Sequence, residues 1–177
     1  TQPETLFVID EAYLAFSPPA KTALAIKGNN LLIVRSMTKE YALAGLRLGY
    51  VVSHNQELIE PLTLARPAWN VTALAQAAGL AALADEAHQQ RSLEKLIDAR
   101  QALCDNLTIL GLAPVPSSTH YFLVFLNDAP AFRLNLLKQG LLVRNCTSFG
   151  LPDYIRIATR RPPENDRLVQ AIKTLRA

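Results

Sequence analysis

Cysteine is scarce in this chain, and with it the patterns that mark secreted or metal-bound proteins. The two cysteines, Cys104 and Cys146, lie far apart and form no CxxC pair. That excludes a disulfide framework and a cysteine-based metal site. His54, His88 and His120 share no ligand spacing, so no metal is expected. No segment approaches the roughly 20 consecutive apolar residues of a membrane span. The opening stretch TQPETLFVID lacks the basic-then-apolar pattern of a signal peptide. A reducing, cytoplasmic setting is the default that follows. There is no internal repeat and no low-complexity linker. Charge of one sign is not concentrated either. Eighteen Lys and Arg against fifteen Asp and Glu leave a net +3, ungathered apart from the short pair Arg160-Arg161. Such an excess suits small anions such as phosphates, and it gives little reason to expect nucleic acid as a partner.

Half of the 177 residues are hydrophobic and 19% are charged, enough apolar content for a sizeable core and too much for disorder. The length allows one domain or two small ones. Three short apolar runs, Leu6-Phe7-Val8-Ile9, Leu31-Leu32-Ile33-Val34 and Tyr50-Val51-Val52, have the pattern of strands buried on both faces. The first begins almost at the start of the chain, which suggests a piece cut from something longer. From about 72 to 83 an Ala- and Leu-rich stretch reads as helix. Asp85 is placed to cap a second helix, on which Leu93, Leu96, Ile97, Leu103, Leu107 and Leu110 recur at helical spacing up to a stop at Gly111. Beyond it the pattern predicts a strand over 121–126, a helix over 129–139 stopped by Gly140, and strands over 141–143 and 154–158. A last helix opens at Pro162-Pro163, with Leu168, Val169, Ile172 and Leu175 on its buried face.

Polar residues just past buried strands stand where α/β sheets bind ligands. Two such groups occur here. VIDEAY places Asp10 and Tyr13 after the first strand, and SMTKEYALAGLRLGY carries Ser36, Thr38, Lys39 and Arg47 after the second. A third group, LLVRNCTSFGLPDYIRIATR, holds Arg144 and Arg156. An amine for an aldehyde, a carboxylate for a ring nitrogen, a phenol for a ring oxygen, and hydroxyls with a guanidinium for a phosphate are what pyridoxal 5'-phosphate (PLP) chemistry demands. The first two groups supply all of them.

The order Asp-x-x-Tyr, then Ser-x-Thr-Lys, then Ala-Gly-Leu-Arg-x-Gly-Tyr resembles the class I/II aminotransferases of PLP fold type I, and the similarity runs over nearly the whole chain. The resemblance implies an α/β fold. Residues 1–70 would form the C-terminal portion of a large coenzyme domain with a mainly parallel sheet, 71–111 connecting helices, and 112–177 a small α+β domain. It also implies that Lys39 forms the imine with the coenzyme, that Asp10 pairs with the ring nitrogen and that Tyr13 meets the ring oxygen. Arg47, Ser36 and Thr38 would bind the phosphate. Within the family the sequence is similar to the branch of histidinol-phosphate aminotransferase and the threonine-phosphate decarboxylase of cobalamin synthesis. That similarity implies a phosphorylated amino substrate clamped by Arg144 and Arg156. The run around Cys146, and Arg160 beyond it, lean toward the decarboxylase, although Asn145 and Thr147 depart from its usual Asp and Ser. His120 stands where both enzymes commonly have Asn. The resemblance further implies a cytoplasmic homodimer with no membrane or nucleic-acid partner. No counterpart of the family's N-terminal half is found, so the chain is expected to be inactive or impaired by itself.

Other readings stand beside this one. The strand ending in Asp10-Glu11 matches a Walker B motif of an ATPase, although no G-x-x-x-x-G-K-S/T accompanies it. Taken singly, Lys39 is an ordinary surface lysine, Arg47 an ion-pair residue, and Arg144 or Arg156 a partner for Asp153. A non-catalytic interaction domain is the remaining alternative.

Overall fold

The computed structural model describes residues 4–17 and 20–176. The chain divides into two compact units, Thr1–Gln90 and Arg91–Ala177, each with its own three-stranded sheet.

In the first unit β1 (Phe7–Asp10), β2 (Leu31–Ser36) and β3 (Gly49–Val52) lie in that order across the sheet. β1 runs parallel to β2 with Asp10 opposite Val34, and β3 runs antiparallel with Gly49 opposite Ser36. The central strand is the buried one, through Leu31, Leu32 and Ile33. The sequence pattern predicts burial on both faces for all three apolar runs, and here the structure differs. Leu6, Phe7, Val8, Tyr50 and Val51 are exposed. β1 and β3 are the edge strands, and those side chains are only partly covered.

A short helix α1 (Met37–Glu40) leaves the end of β2, and α2 (Gln56–Ala65) and α3 (Ala73–Ala84) follow β3. The apolar pattern did not predict α2, because Pro61 lies inside it and proline ordinarily ends a helix. Asn55 and Thr72 cap α2 and α3, accepting hydrogen bonds from the Glu57 and Ala75 amides. Gly79 lets α3 pack closely: a Cβ there would run into the Leu48 side chain and reach 3.3 Å from Met37 Sδ. Met37 is thereby buried two residues before Lys39.

α4 (Glu86–Ile109) begins with the predicted Asp85 cap, whose carboxylate accepts from the His88 amide at 3.0 Å. The second unit continues with β4 (Tyr121–Phe125), α5 (Ala129–Lys138), β5 (Arg144–Asn145), β6 (Tyr154–Ala158) and α6 (Pro162–Arg176). Its sheet is antiparallel in the order β4-β6-β5. Phe122 and Val124 of β4, with Ile155 and Ile157 of β6, alternate inward onto Leu103 and Leu107 of α4, Leu136 of α5 and Ile172 of α6. Tyr121, Arg156 and Tyr154 alternate to the other face.

The predicted stops at Gly111 and Gly140 are left-handed, with φ of +75° and +73°. Each closes its helix with a reversed pair of bonds, Gly111 N to Thr108 O and Leu112 N to Leu107 O in one case, Gly140 N to Leu137 O and Leu141 N to Leu136 O in the other. That second closure moves β5 off its predicted place at 141–143. Leu141 is still bonded back to α5, so strand pairing starts only at Arg144.

Candidate functional site

The first site lies on the two strand ends of the parallel pair. The β1–β2 ladder carries Asp10 to the level of Val34. Two residues further along β2 comes Ser36, and α1 then presents Thr38 and Lys39. Asp10 closes a tight turn by accepting from the Ala12 amide at 2.9 Å. That turn leads to Tyr13, and Lys39 Nζ stands 5.6 Å from the centre of its ring. The strand ends have therefore brought the predicted amine and phenol together within cation–π range. The Ser36 and Thr38 hydroxyls hydrogen-bond each other at 2.7 Å, a pair of donors of the kind that phosphate oxygens take up.

Arg47 follows a 3-10 turn over Ala44–Leu46 and has left-handed backbone, with φ of 55°. Few non-glycine residues adopt that region, and those that do cluster at functional sites. Its guanidinium donates to Ala44 O at 2.9 Å. Gly49, two residues on, lets β3 close against β2, since a Cβ there would sit 2.8 Å from the Arg35 carbonyl oxygen. A cleft of about 800 Å³ opens beside Asp10, Tyr13 and Lys21.

Beneath these residues lies a buried network that motif reading did not single out. The Glu11 carboxylate accepts from the Arg35 guanidinium at 2.8 Å, from Thr22 Oγ1 at 2.8 Å and from the Ala23 amide at 2.6 Å. Opposite charges beside the ends of neighbouring strands, Glu11 after Asp10 and Arg35 before Ser36, were the available signal. Nearby, burial pushes the Glu40 carboxyl up, against the pull of Arg35 and of a hydrogen bond from Tyr41. Burial and the Glu40 charge raise the Tyr41 hydroxyl to about 12, so that phenol stays protonated.

The second candidate site is on the open face of the other unit's sheet. Arg144 and Arg156 stand directly opposite each other across β5 and β6. Like charges in that position repel. Each guanidinium lies over an aromatic ring instead of a carboxylate: Arg144 is 5.3 Å from the Phe149 centroid and Arg156 is 4.7 Å from that of Tyr121. Among the described residues neither makes an ion pair, Asp153 included. Arg144 also donates to Ser148 Oγ at 3.2 Å. Cys146 is buried close by. Burial pushes its thiol up while the charges of Arg156 and Arg144 pull it down. Two adjacent cations with no counter-charge among the described residues have the chemistry to attract an anion.

A class of protein follows from this arrangement: an α/β enzyme scaffold with a lysine, an acid and phosphate-type donors clustered at strand ends. Known proteins specify it further. The family model for aminotransferase class I and II matches residues 1–172, and the chain belongs to that family. It is 42% identical over 175 residues to the histidinol-phosphate aminotransferase of Symbiobacterium thermophilum, which covers 97% of this chain and 48% of that protein. Among solved structures, the L-threonine-O-3-phosphate decarboxylase of Porphyromonas gingivalis superposes with a TM-score of 0.85 at 30% identity, over 98% of this chain and 56% of that one. The histidinol-phosphate aminotransferase of Sinorhizobium meliloti, solved in complex with pyridoxal-5'-phosphate, does so with 0.85 at 28% identity, over 98% and 50%. The chain spans about half the length of the curated relatives it matches. No described helix is long and apolar enough to cross a membrane.

Proposed function

We propose that this chain is the lysine-bearing half of a PLP-dependent enzyme acting on a phosphorylated amino compound, most simply a transaminase of the histidinol-phosphate type. The observation that carries the proposal is the pairing of the β1 and β2 ends, with Lys39 Nζ over the Tyr13 ring. The donor set fits PLP group by group. Lys39 would bind its aldehyde, Asp10 its ring nitrogen and Tyr13 its ring oxygen, while Ser36, Thr38 and Arg47 would hold its phosphate. The coenzyme, when bound, supplies an electron sink for a bond breaking at the substrate's α-carbon. Asp10 keeps the ring nitrogen protonated. Lys39 Nζ would serve as the base that takes up the substrate's α-proton and as the acid that returns it. Arg144 and Arg156 hold the substrate's anionic groups.

Under this proposal residues 1–70 complete the larger coenzyme domain, 71–111 connect it and 112–177 form the small domain. The complete enzyme is a cytoplasmic homodimer, and this chain alone has little or no turnover. A second reading, O-phosphothreonine decarboxylation as in cobalamin synthesis, is favoured by the likeness to the Porphyromonas gingivalis decarboxylase. Release of CO2 from L-threonine O-3-phosphate, against amino transfer from histidinol phosphate, separates the two.

The test is reductive labelling. PLP is added to this chain and to the longest gene product that carries it, the mixture is reduced with borohydride, and the modified peptide is mapped. Selective labelling at Lys39, competed by inorganic phosphate and absent in Lys39→Ala, is the expected result. Labelling scattered over many lysines in the longer protein would overturn the proposal.

A further inference from the structure

Of the two groups that matter most in the proposed chemistry, Asp10 ends β1 and Lys39 lies on the short helix that follows β2. Their relative position depends on what locks those strands beyond the last ladder pair, Asp10 with Val34. Backbone supplies one more bond, Glu11 N to Val34 O at 2.9 Å. Side chains supply the rest. Oε2 of Glu11 accepts from both Arg35 and Thr22, and Oε1 accepts from the Ala23 amide. The Arg35 guanidinium closes the ring by donating to Thr22 Oγ1 at 3.0 Å. The Glu11 side chain is 4% exposed and that of Arg35 15%. Strand β1, strand β2 and the turn at Ala23–Ala25 are thus tied at one point, a single residue from Asp10 and a single residue from Ser36.

Stability alone does not account for such a device. Removing two charges from water carries a desolvation penalty, and apolar side chains of similar volume commonly serve a fold as well. What an ion pair with three further hydrogen bonds adds is direction, because each donor fixes an angle as well as a distance. The pair also settles the local charge. Without Arg35, Glu11 would be a buried carboxylate with no counter-charge, one residue from Asp10.

Resting on the coenzyme reading above, we infer that Glu11, Arg35 and Thr22 form a positioning network that sets the geometry of Asp10 against the Ser36–Lys39 segment. The network orients the coenzyme ring and phosphate without touching the reacting atoms.

The experiment compares Glu11→Ala, Glu11→Gln, Arg35→Met and Arg35→Lys with the wild type in the longest gene product that carries this sequence. The readouts are PLP affinity from fluorescence quenching, the visible circular dichroism induced in bound PLP, and the melting temperature of the coenzyme-free protein. Losing the partners that orient a metal's ligands typically costs about 10- to 100-fold in affinity, and the same order is expected where an organic group is oriented in the same way. Glu11→Ala and Arg35→Met are expected to weaken PLP binding by about tenfold or more and to change the dichroic band. Glu11→Gln keeps the acceptor oxygen and should recover most of both. An unchanged dichroic band and unchanged PLP affinity in variants that merely melt at a lower temperature would show a structural ion pair and overturn the inference. Should Glu11→Ala fail to fold, Glu11→Gln and Arg35→Lys decide through the same two optical readouts. Failure of the wild type to bind PLP through Lys39 is a separate result. It would overturn the functional reading and this inference with it.

Discussion

Arg156 shows how much a single residue can say about function when its partners are counted. It faces Arg144 across the strand pair and leans on the Tyr121 ring. Arg35, by contrast, has its charge balanced by the Glu11 carboxylate. A charge-assisted hydrogen bond contributes about 1.5–3 kcal/mol. In the complete enzyme, Arg156→Ala is therefore expected to raise KM for a phosphorylated substrate by roughly 10- to 100-fold, with PLP retention unchanged. Arg156→Lys should recover little, since a point charge replaces a planar fork. Steady-state kinetics beside a PLP release assay checks both statements. Loss of PLP at an intact KM would move Arg156 from the substrate to the coenzyme.

Elements were legible in the sequence where one local signal decided them. Asp85, Gly111, Gly140 and Pro162 each mark a helix end, and the structure ends or begins helices beside all four. Where two signals competed, the weaker was hidden. Pro61 masks α2, and the helix closure through Leu141 displaces β5. The Glu11–Arg35–Thr22 network was not legible because it joins three places distant in sequence, and only the parallel pairing of β1 with β2 brings them together. The start of α6 carries an element-scale prediction. Glu164, in the first turn, is held by Arg160 at 2.8 Å and Arg161 at 3.0 Å. Hydrogen bonds from Arg160 and then Arg161 lower its carboxyl from 4.5 to about 2. A carboxyl lowered on folding stabilises the folded state above its unfolded value, and that contribution is lost as pH falls through the folded one. Glu164→Gln should thus melt slightly earlier than the wild type above pH 5 at low salt. The gap should close progressively as pH is lowered from about 4.5 toward 2, and salt should shrink it at neutral pH because the pair is exposed. Melting curves across that range test it, and a gap that does not narrow would sink the assignment.

At the scale of the whole molecule the two units differ in how completely they bury their sheets. β2 and β6 make a fair comparison, since each is the middle strand of three. β6 rests on a core shared by α4, α5 and α6, with Ile155, Ile157, Leu107, Leu136 and Ile172 all at 1% exposure or less. β2 is flanked by strands whose apolar side chains stand open, with Val8 60% and Val51 41% exposed. The two flanking apolar runs that read as doubly buried strands are thus only partly covered in a chain that spans about half of its relatives' length. Local opening is governed by such burial, so regions with few buried apolar contacts exchange their amides at lower free-energy cost. In this chain alone the β2 amides should exchange at least about tenfold faster than those of β6, although both strands are hydrogen-bonded on two sides. In a longer gene product that supplies the remaining half, β2 protection should rise toward that of β6 while β6 changes little. Hydrogen exchange followed by mass spectrometry resolves the two strands. Equal protection in the isolated chain would show that the first unit is already complete, and the exposed faces of β1 and β3 would then be ordinary surface rather than the seat of a missing half.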